Sequence, residues 1–173
     1  MNTYRLTLLA ILASLAVIGR IAFSQIPNVQ PVTSIIIICG FFLGPLSAVL
    51  LAVLTTYLSN LLLGMGFWTI WQIIAWTFIG LISGVLGLVQ NKYSFYLLVM
   101  FSVISGYLYG FVVSLATFIV SGKFIPYYLA GLPYDTYHAI GNCLFMIILF
   151  PVLSIIFERY KKKWLNTKLP TPK

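Results

Sequence analysis

Trp68, Gln72 and Trp76 recur every four residues within Gly64–Trp76 (Gly-Met-Gly-Phe-Trp-Thr-Ile-Trp-Gln-Ile-Ile-Ala-Trp), so one helix face carries all three. Flat rings beside a single amide are the ingredients of a small-molecule pocket, the rings giving area and the amide giving orientation. Gly64 and Gly66 allow a sharp turn just before. Further polar side chains fall at matching intervals: Tyr57 and Asn60 three apart, and Asp135, His138 and Asn142 three and four apart on one stripe. Asn28 and Gln30 sit in an amide- and proline-rich break, Gln25–Thr33, and Thr69 lies beside Trp68. The chemistry open to such a set is binding. Catalysis is poorly served: there is one histidine, and the two carboxylates lie near opposite ends of one apolar segment. No GxSxG, HExxH or acidic cluster occurs, and there is no P-loop to hydrolyse nucleotide.

The elements that position these residues must stand in lipid. Of 173 residues, 61% are hydrophobic and 7% charged, too few charges to cover a soluble domain of this length. The net charge of +8 does not point to nucleic acid, because Arg159, Lys161, Lys162, Lys163, Lys168 and Lys173 crowd the end of the chain. Basic residues just beyond a membrane helix mark the cytoplasmic side. Cys39 and Cys143 lie in apolar runs and read as free thiols. The sequence calls for no cofactor and no metal.

Apolar runs and breakers predict a single six-helix transmembrane domain over 1–173. Its all-α bundle has helices near 6–23, 33–43, 47–63, 69–89, 95–120 and 135–157, then a basic tail 158–173. The apolar start after Arg5 reads as a retained first helix, since no small-x-small cleavage site precedes a polar region. Gly44-Pro45 divides the run 34–63, leaving a second helix well short of the ~30 Å hydrocarbon core. That helix must be oblique, be shielded by neighbours, or thin the bilayer around it. Residues 121–134, with Pro126, Pro133 and Tyr127-Tyr128, read as a loop. Six helices put both termini on one side. With that side cytoplasmic, Arg5, Lys92 and the six tail residues lie inside, against Arg20 and Lys123 outside.

On this topology Asn28, Gln30, Tyr57, Asn60, Trp68, Thr69, Gln72, Trp76, Asp135, His138 and Asn142 all gather in the outer leaflet, where polar groups are costly unless they face a cavity or each other. One extracellular-facing site follows. Plainer roles stand beside it. Trp71 reads as an interfacial belt residue, and Trp68 and Trp76 serve belt or pocket equally. Asn60 and Asn142 are candidates for helix-to-helix glue. Asp135 serves as N-cap or ligand contact, His138 leans to a functional role, and Arg20 snorkels to the interface. Tyr127-Tyr128 forms a lid or sits in the headgroups. Ser83-Gly84, Ser105-Gly106 and Ser121-Gly122 read as close packing or loop flexibility rather than nucleophiles.

Taken together, Ile26-Pro27-Asn28-Val29-Gln30-Pro31-Val32-Thr33, Phe42-Leu43-Gly44-Pro45, Trp68-Thr69-Ile70-Trp71-Gln72 and Asp135–Asn142 resemble the substrate-binding S components of energy-coupling factor (ECF) transporters. The resemblance spans nearly the whole chain. It implies a vitamin-binding membrane subunit that works with a transmembrane coupling subunit and two cytoplasmic ATPase subunits, and that topples in the bilayer to release its ligand inside. It also implies docking through small residues on the first helix, where Ala10-x-x-x-Ser14, flanked by Ala13, stands for the family's Ala-x-x-x-Ala. The subgroup most resembled is one associated with cobalamin or cobamide uptake, which makes His138 a candidate to face the corrinoid. A pyrimidine, pyridoxine or pantothenate would suit the same residues.

Overall fold

Gly44 takes φ +84, a conformation that costs glycine little, and Pro45 follows at the first position of the next helix, where its missing N–H is no loss. This pair splits the long apolar run as the sequence predicts. The computed structural model describes residues 3–168, with side chains through Lys161. In chain order its helices are α1 (Thr3–Ala22), α2 (Val32–Leu43), α3 (Pro45–Leu63), α4 (Trp68–Leu86), α5 (Ser94–Ser121) and α6 (Phe124–Lys168). Five of them are long and apolar enough to cross a membrane, by length and composition, and α2 is not. Their outward surface is apolar, with Ile18, Leu62, Ile70, Ile104 and Ile148 among its exposed side chains, as a lipid-facing surface requires.

The short helix is shielded by neighbours. At 12 residues α2 is about 18 Å long, and it packs against all five other helices. Ten of its residues are buried, so it never has to span lipid. Its C-terminal carbonyls, which would each cost several kcal/mol if left bare in hydrocarbon, are met from outside the helix. The Arg5 guanidinium donates to the Leu43 carbonyl and to Ser47 Oγ (2.8 Å for the latter). Gln90 Nε2 donates to the Phe41 carbonyl at 3.2 Å; further in, the Ser83 hydroxyl donates to the mid-helix carbonyl of Ile37.

The crossing of α2, α3 and α4 has no room for side chains. A Cβ on Gly84 would lie 2.4 Å from Pro45 N, and one on Gly80 2.8 Å from Ala48 Cβ. Gly106 on α5 meets the α6 backbone at Ala139 in the same way. Small residues here buy close approach, the usual basis of helix pairing in lipid, and Ser83-Gly84 and Ser105-Gly106 belong to it.

The last helix departs from expectation. Residues 124–134 are not a loop: α6 begins at Phe124 and continues through both prolines that suggested one. Pro126 falls in the first turn, where backbone N–H groups have no helical partner anyway. Pro133 does remove an interior bond, and two side chains make bonds around it. The Thr136 hydroxyl donates to the Leu132 carbonyl (2.9 Å) and Asn28 Nδ2 to that of Tyr134 (3.2 Å). Phe124 and Tyr128 then pack on Phe111 of α5. At 45 residues, about 67 Å if straight, α6 outruns any bilayer. Of the basic tail, Lys173 and the side chains of Lys162, Lys163 and Lys168 lie outside what the structure describes.

Candidate binding site

One end of the bundle brings together the C-termini of α1, α3 and α5, the N-termini of α2, α4 and α6, and the α1–α2 connection. Here a cavity of about 290 Å³ is lined by Arg20 of α1, by Phe23, Ser24, Ile26, Asn28, Val29 and Gln30 of the connection, and by Leu63, Gln72 and Tyr109. The connection is held over it by three contacts. Asn28 adopts φ +57, a left-handed conformation that asparagine tolerates, and bonds α6 as described. Pro31 sits so tightly on Gly19 that a Cβ there would come within 2.3 Å of its ring. Val29 abuts Gly141 of α6.

Beneath the cavity the polar groups form a bonded tier. Arg20 donates through one guanidinium nitrogen to Ser59 Oγ (2.6 Å) and Asn60 Oδ1 (2.9 Å). Asn60 Nδ2 donates in turn to Thr69 Oγ1 (3.0 Å) and Gln72 Oε1 (2.8 Å). Three helices are thereby joined through one amide. The same guanidinium lies 5.1 Å from the centre of the Trp76 ring, a cation–π distance. Rings continue inward from there, Trp76 to Tyr109 at 4.9 Å and Tyr109 to His138 at 4.8 Å. Thr33 Oγ1 pins this column, accepting from Trp76 Nε1 (3.0 Å) and pairing with His138 Nε2 (2.8 Å).

A site of this make-up has groups that can hold a small polar molecule. It offers a cation, amides, a phenol and ring faces, and among the lining residues there is no carboxylate, thiol or histidine. A family model for the substrate-specific component of ECF transporters matches residues 4–158. The chain belongs to that family. No curated protein and no solved structure matches it. ECF substrate-specific components are transport subunits rather than enzymes, and this one is a multi-pass membrane protein.

The S component's cavity includes some of the residues singled out by sequence and omits others. Asn28, Gln30 and Gln72 line it, and Asn60 and Thr69 hold Gln72 and Arg20 in place. Trp76 is fully buried beneath it. His138 is fully buried behind Tyr109, away from the lining. Asn142 acts between helices: its Nδ2 donates to the Ser102 carbonyl at 3.2 Å, and its own carbonyl accepts from Ser34 Oγ at 2.9 Å. Three side chains face elsewhere. Trp68 is 50% exposed with its ring folded against Gly66, Tyr57 is 49% exposed on α3, and Tyr127 is 49% exposed on α6, so none of them lines the cavity.

Among the lining residues not singled out by sequence, two carry polar groups at the heart of the site, Arg20 and Tyr109. Arg20 does not snorkel away; it turns inward onto Asn60 and Trp76. The available signal was its position, one turn from the end of α1 beside the amide-rich break, at the depth of Asn60. Tyr109 was overlooked among many aromatics, although Gly106 and Gly110 flank it at helical spacing and bring α6 close. On α1, Ala10 and Ser14 are exposed while Ala13 is turned into the core, so only the first two are open to a docking partner.

Proposed function

We propose that this S component captures a vitamin-class small molecule in the Arg20–Gln72–Tyr109 cavity on the extracellular side. It would pass the ligand inward together with a transmembrane coupling subunit and two cytoplasmic ATPase subunits. The single observation that carries the reading is the cavity itself, a hollow at one end of the bundle lined by a cation, amides and a phenol and in part by the amide-rich connection. The bacterial cytoplasmic membrane, with both termini inside, suits the charge bias of eight basic residues against two. Docking on the coupling subunit is assigned to the exposed small residues Ala10 and Ser14 of α1. An apolar groove of about 500 Å³ between α1 and α3, lined by Leu6, Leu9, Ala10, Leu50, Val53 and Leu54, supports that assignment.

The ligand best matched by resemblance is cobalamin or a cobamide. At about 290 Å³ the hollow lies at the floor of the range for small-molecule pockets. A corrinoid therefore enters in part, with its ring across the mouth. The same volume favours a second reading, in which a single-ring or short vitamin such as hydroxymethylpyrimidine, pyridoxine or pantothenate is enclosed whole. Equilibrium dialysis of the purified protein against a panel of these vitamins tests both. Binding of one member is expected, and Gln72→Ala should weaken it about tenfold or more, the usual cost of a lost buried hydrogen bond. Failure of every member to bind would overturn the reading. Co-purification of ATPase subunits from native membranes checks the partners.

A further inference from the structure

Arg20 is a permanent charge placed inside a membrane protein without an acid to balance it. The chain has two carboxylates in all, Asp135 and Glu158. Glu158 sits near the far end of α6, and Asp135 is packed against Gly110, where a Cβ would touch its carboxyl at 2.0 Å. Neither pairs with Arg20. What Arg20 has instead is neutral: a hydroxyl, an amide oxygen and the face of Trp76. Both bonds use one nitrogen, Nη1. A guanidinium carries five donors, and among the described residues no acceptor is bonded to Nε or Nη2. An unbalanced cation at such depth is costly unless it faces a cavity or a partner. Arg20 lines the cavity.

The rest of the lining leans the same way. Gln72 accepts from Asn60 through Oε1, and its side chain also hydrogen-bonds the Tyr109 hydroxyl. Tyr109 adds a hydroxyl and Gln30 a second amide. No anionic group competes. We infer that the cavity is built for a ligand bearing one negative charge, a carboxylate or a phosphate ester, which Arg20 neutralises. Asn60 and Ser59 act as positioning residues that hold the guanidinium at the wall. The inference rests on the binding reading above and narrows it: among the vitamins considered, pantothenate carries a carboxylate and cobalamin a phosphodiester, whereas pyridoxine and hydroxymethylpyrimidine carry neither.

The test compares matched pairs on the full chain in lipid nanodiscs by equilibrium dialysis. Pantothenate is set against its neutral alcohol, pantothenol, and cobinamide phosphate against cobinamide, which lacks only the phosphate. Pyridoxine serves as a neutral single-ring control. The expected result is that one anion-bearing member binds about 100-fold more tightly than its partner, the scale on which a desolvated charge pair discriminates. Which pair responds names the carboxylate or the phosphate. Arg20→Gln should erase that difference, and Arg20→Lys should restore part of it. If Arg20→Gln fails to fold, as a thermal melt would show, the wild-type pairs and Arg20→Lys still decide. Equal binding within both pairs, tight pyridoxine binding, or an anion bound equally by wild type and Arg20→Gln would overturn the inference and leave the S-component reading standing. No binding by any member would sink the vitamin reading, and this inference with it.

Discussion

Two polar clusters lie within this bundle, and they differ in how completely they are satisfied. The tier beneath the cavity, Arg20, Ser59, Asn60, Thr69 and Gln72, has no fully buried polar atom without a hydrogen-bond partner, and Asn60 reaches three partner side chains. The stripe on α6 holds the same kinds of residue but leaves atoms over: Asp135 Oδ2, His138 Nδ1 and Asn142 Oδ1 are buried with no hydrogen-bond partner. The tier borders a cavity, and its bonds serve to aim Arg20 and Gln72 at what fills it. The stripe borders α5, where it is crowded by Gly106, Gly110 and Ser102 and fixes how two helices meet. Helical spacing of polar residues thus brings them to one face without saying whether that face meets a hollow or another helix.

This contrast is broken most severely at the stripe. Gly110→Ala would drive a Cβ into the Asp135 carboxyl and force α5 from α6, so a loss of about 3 kcal/mol or more of stability is expected, as for overpacked cores. A thermal melt in detergent reads it, and adding Asp135→Ala should recover most of the loss. In the tier, Asn60→Ala strips Arg20 and Gln72 of a partner at once. It should cost about 1–3 kcal/mol of stability and weaken ligand binding as well, the two effects being separated by melts with and without ligand. Asn142→Ala sharpens the distinction: about 0.6 kcal/mol of stability, the average for an interhelical hydrogen bond in a membrane protein, with affinity unchanged in dialysis. Smallest of all, Tyr57→Ala and Trp68→Ala lie outside the lining and should stay within about 0.5 kcal/mol of wild type and bind as it does. A large affinity loss in either would mean that the cavity extends beyond the residues described.

Much of the architecture was legible because lipid leaves the chain few options. Apolar runs must be helices, and the Gly44-Pro45 break marks a real end; the expected gap between 89 and 95 is also real, though α4 stops earlier, at Leu86. The proline rule failed at 124–134, since Pro126 sits where it costs nothing and Pro133 has Thr136 and Asn28 close by. The candidate site was legible as a depth rather than as a list. Of the residues expected in the outer leaflet, Asn28, Gln30 and Gln72 share one cavity, and rotation about each helix axis decided which ones line it. Trp68, four residues from Gln72, folds back on Gly66, while Arg20 turns inward because Asn60 and Trp76 offer it partners. Such pairings depend on contacts far apart in sequence, and spacing along one helix carries no record of them.

The enclosure of α2 also constrains how the protein is made. During synthesis α2 leaves the ribosome before the groups that bond Thr33, Ser34 and the Ile37 carbonyl, which lie on α4 and α6. A segment of about 18 Å cannot hold a transmembrane position alone. Its place in the bundle therefore depends on α4 and α6 closing round it. Truncated nascent chains ending before α6 should accordingly remain open to proteases in this region.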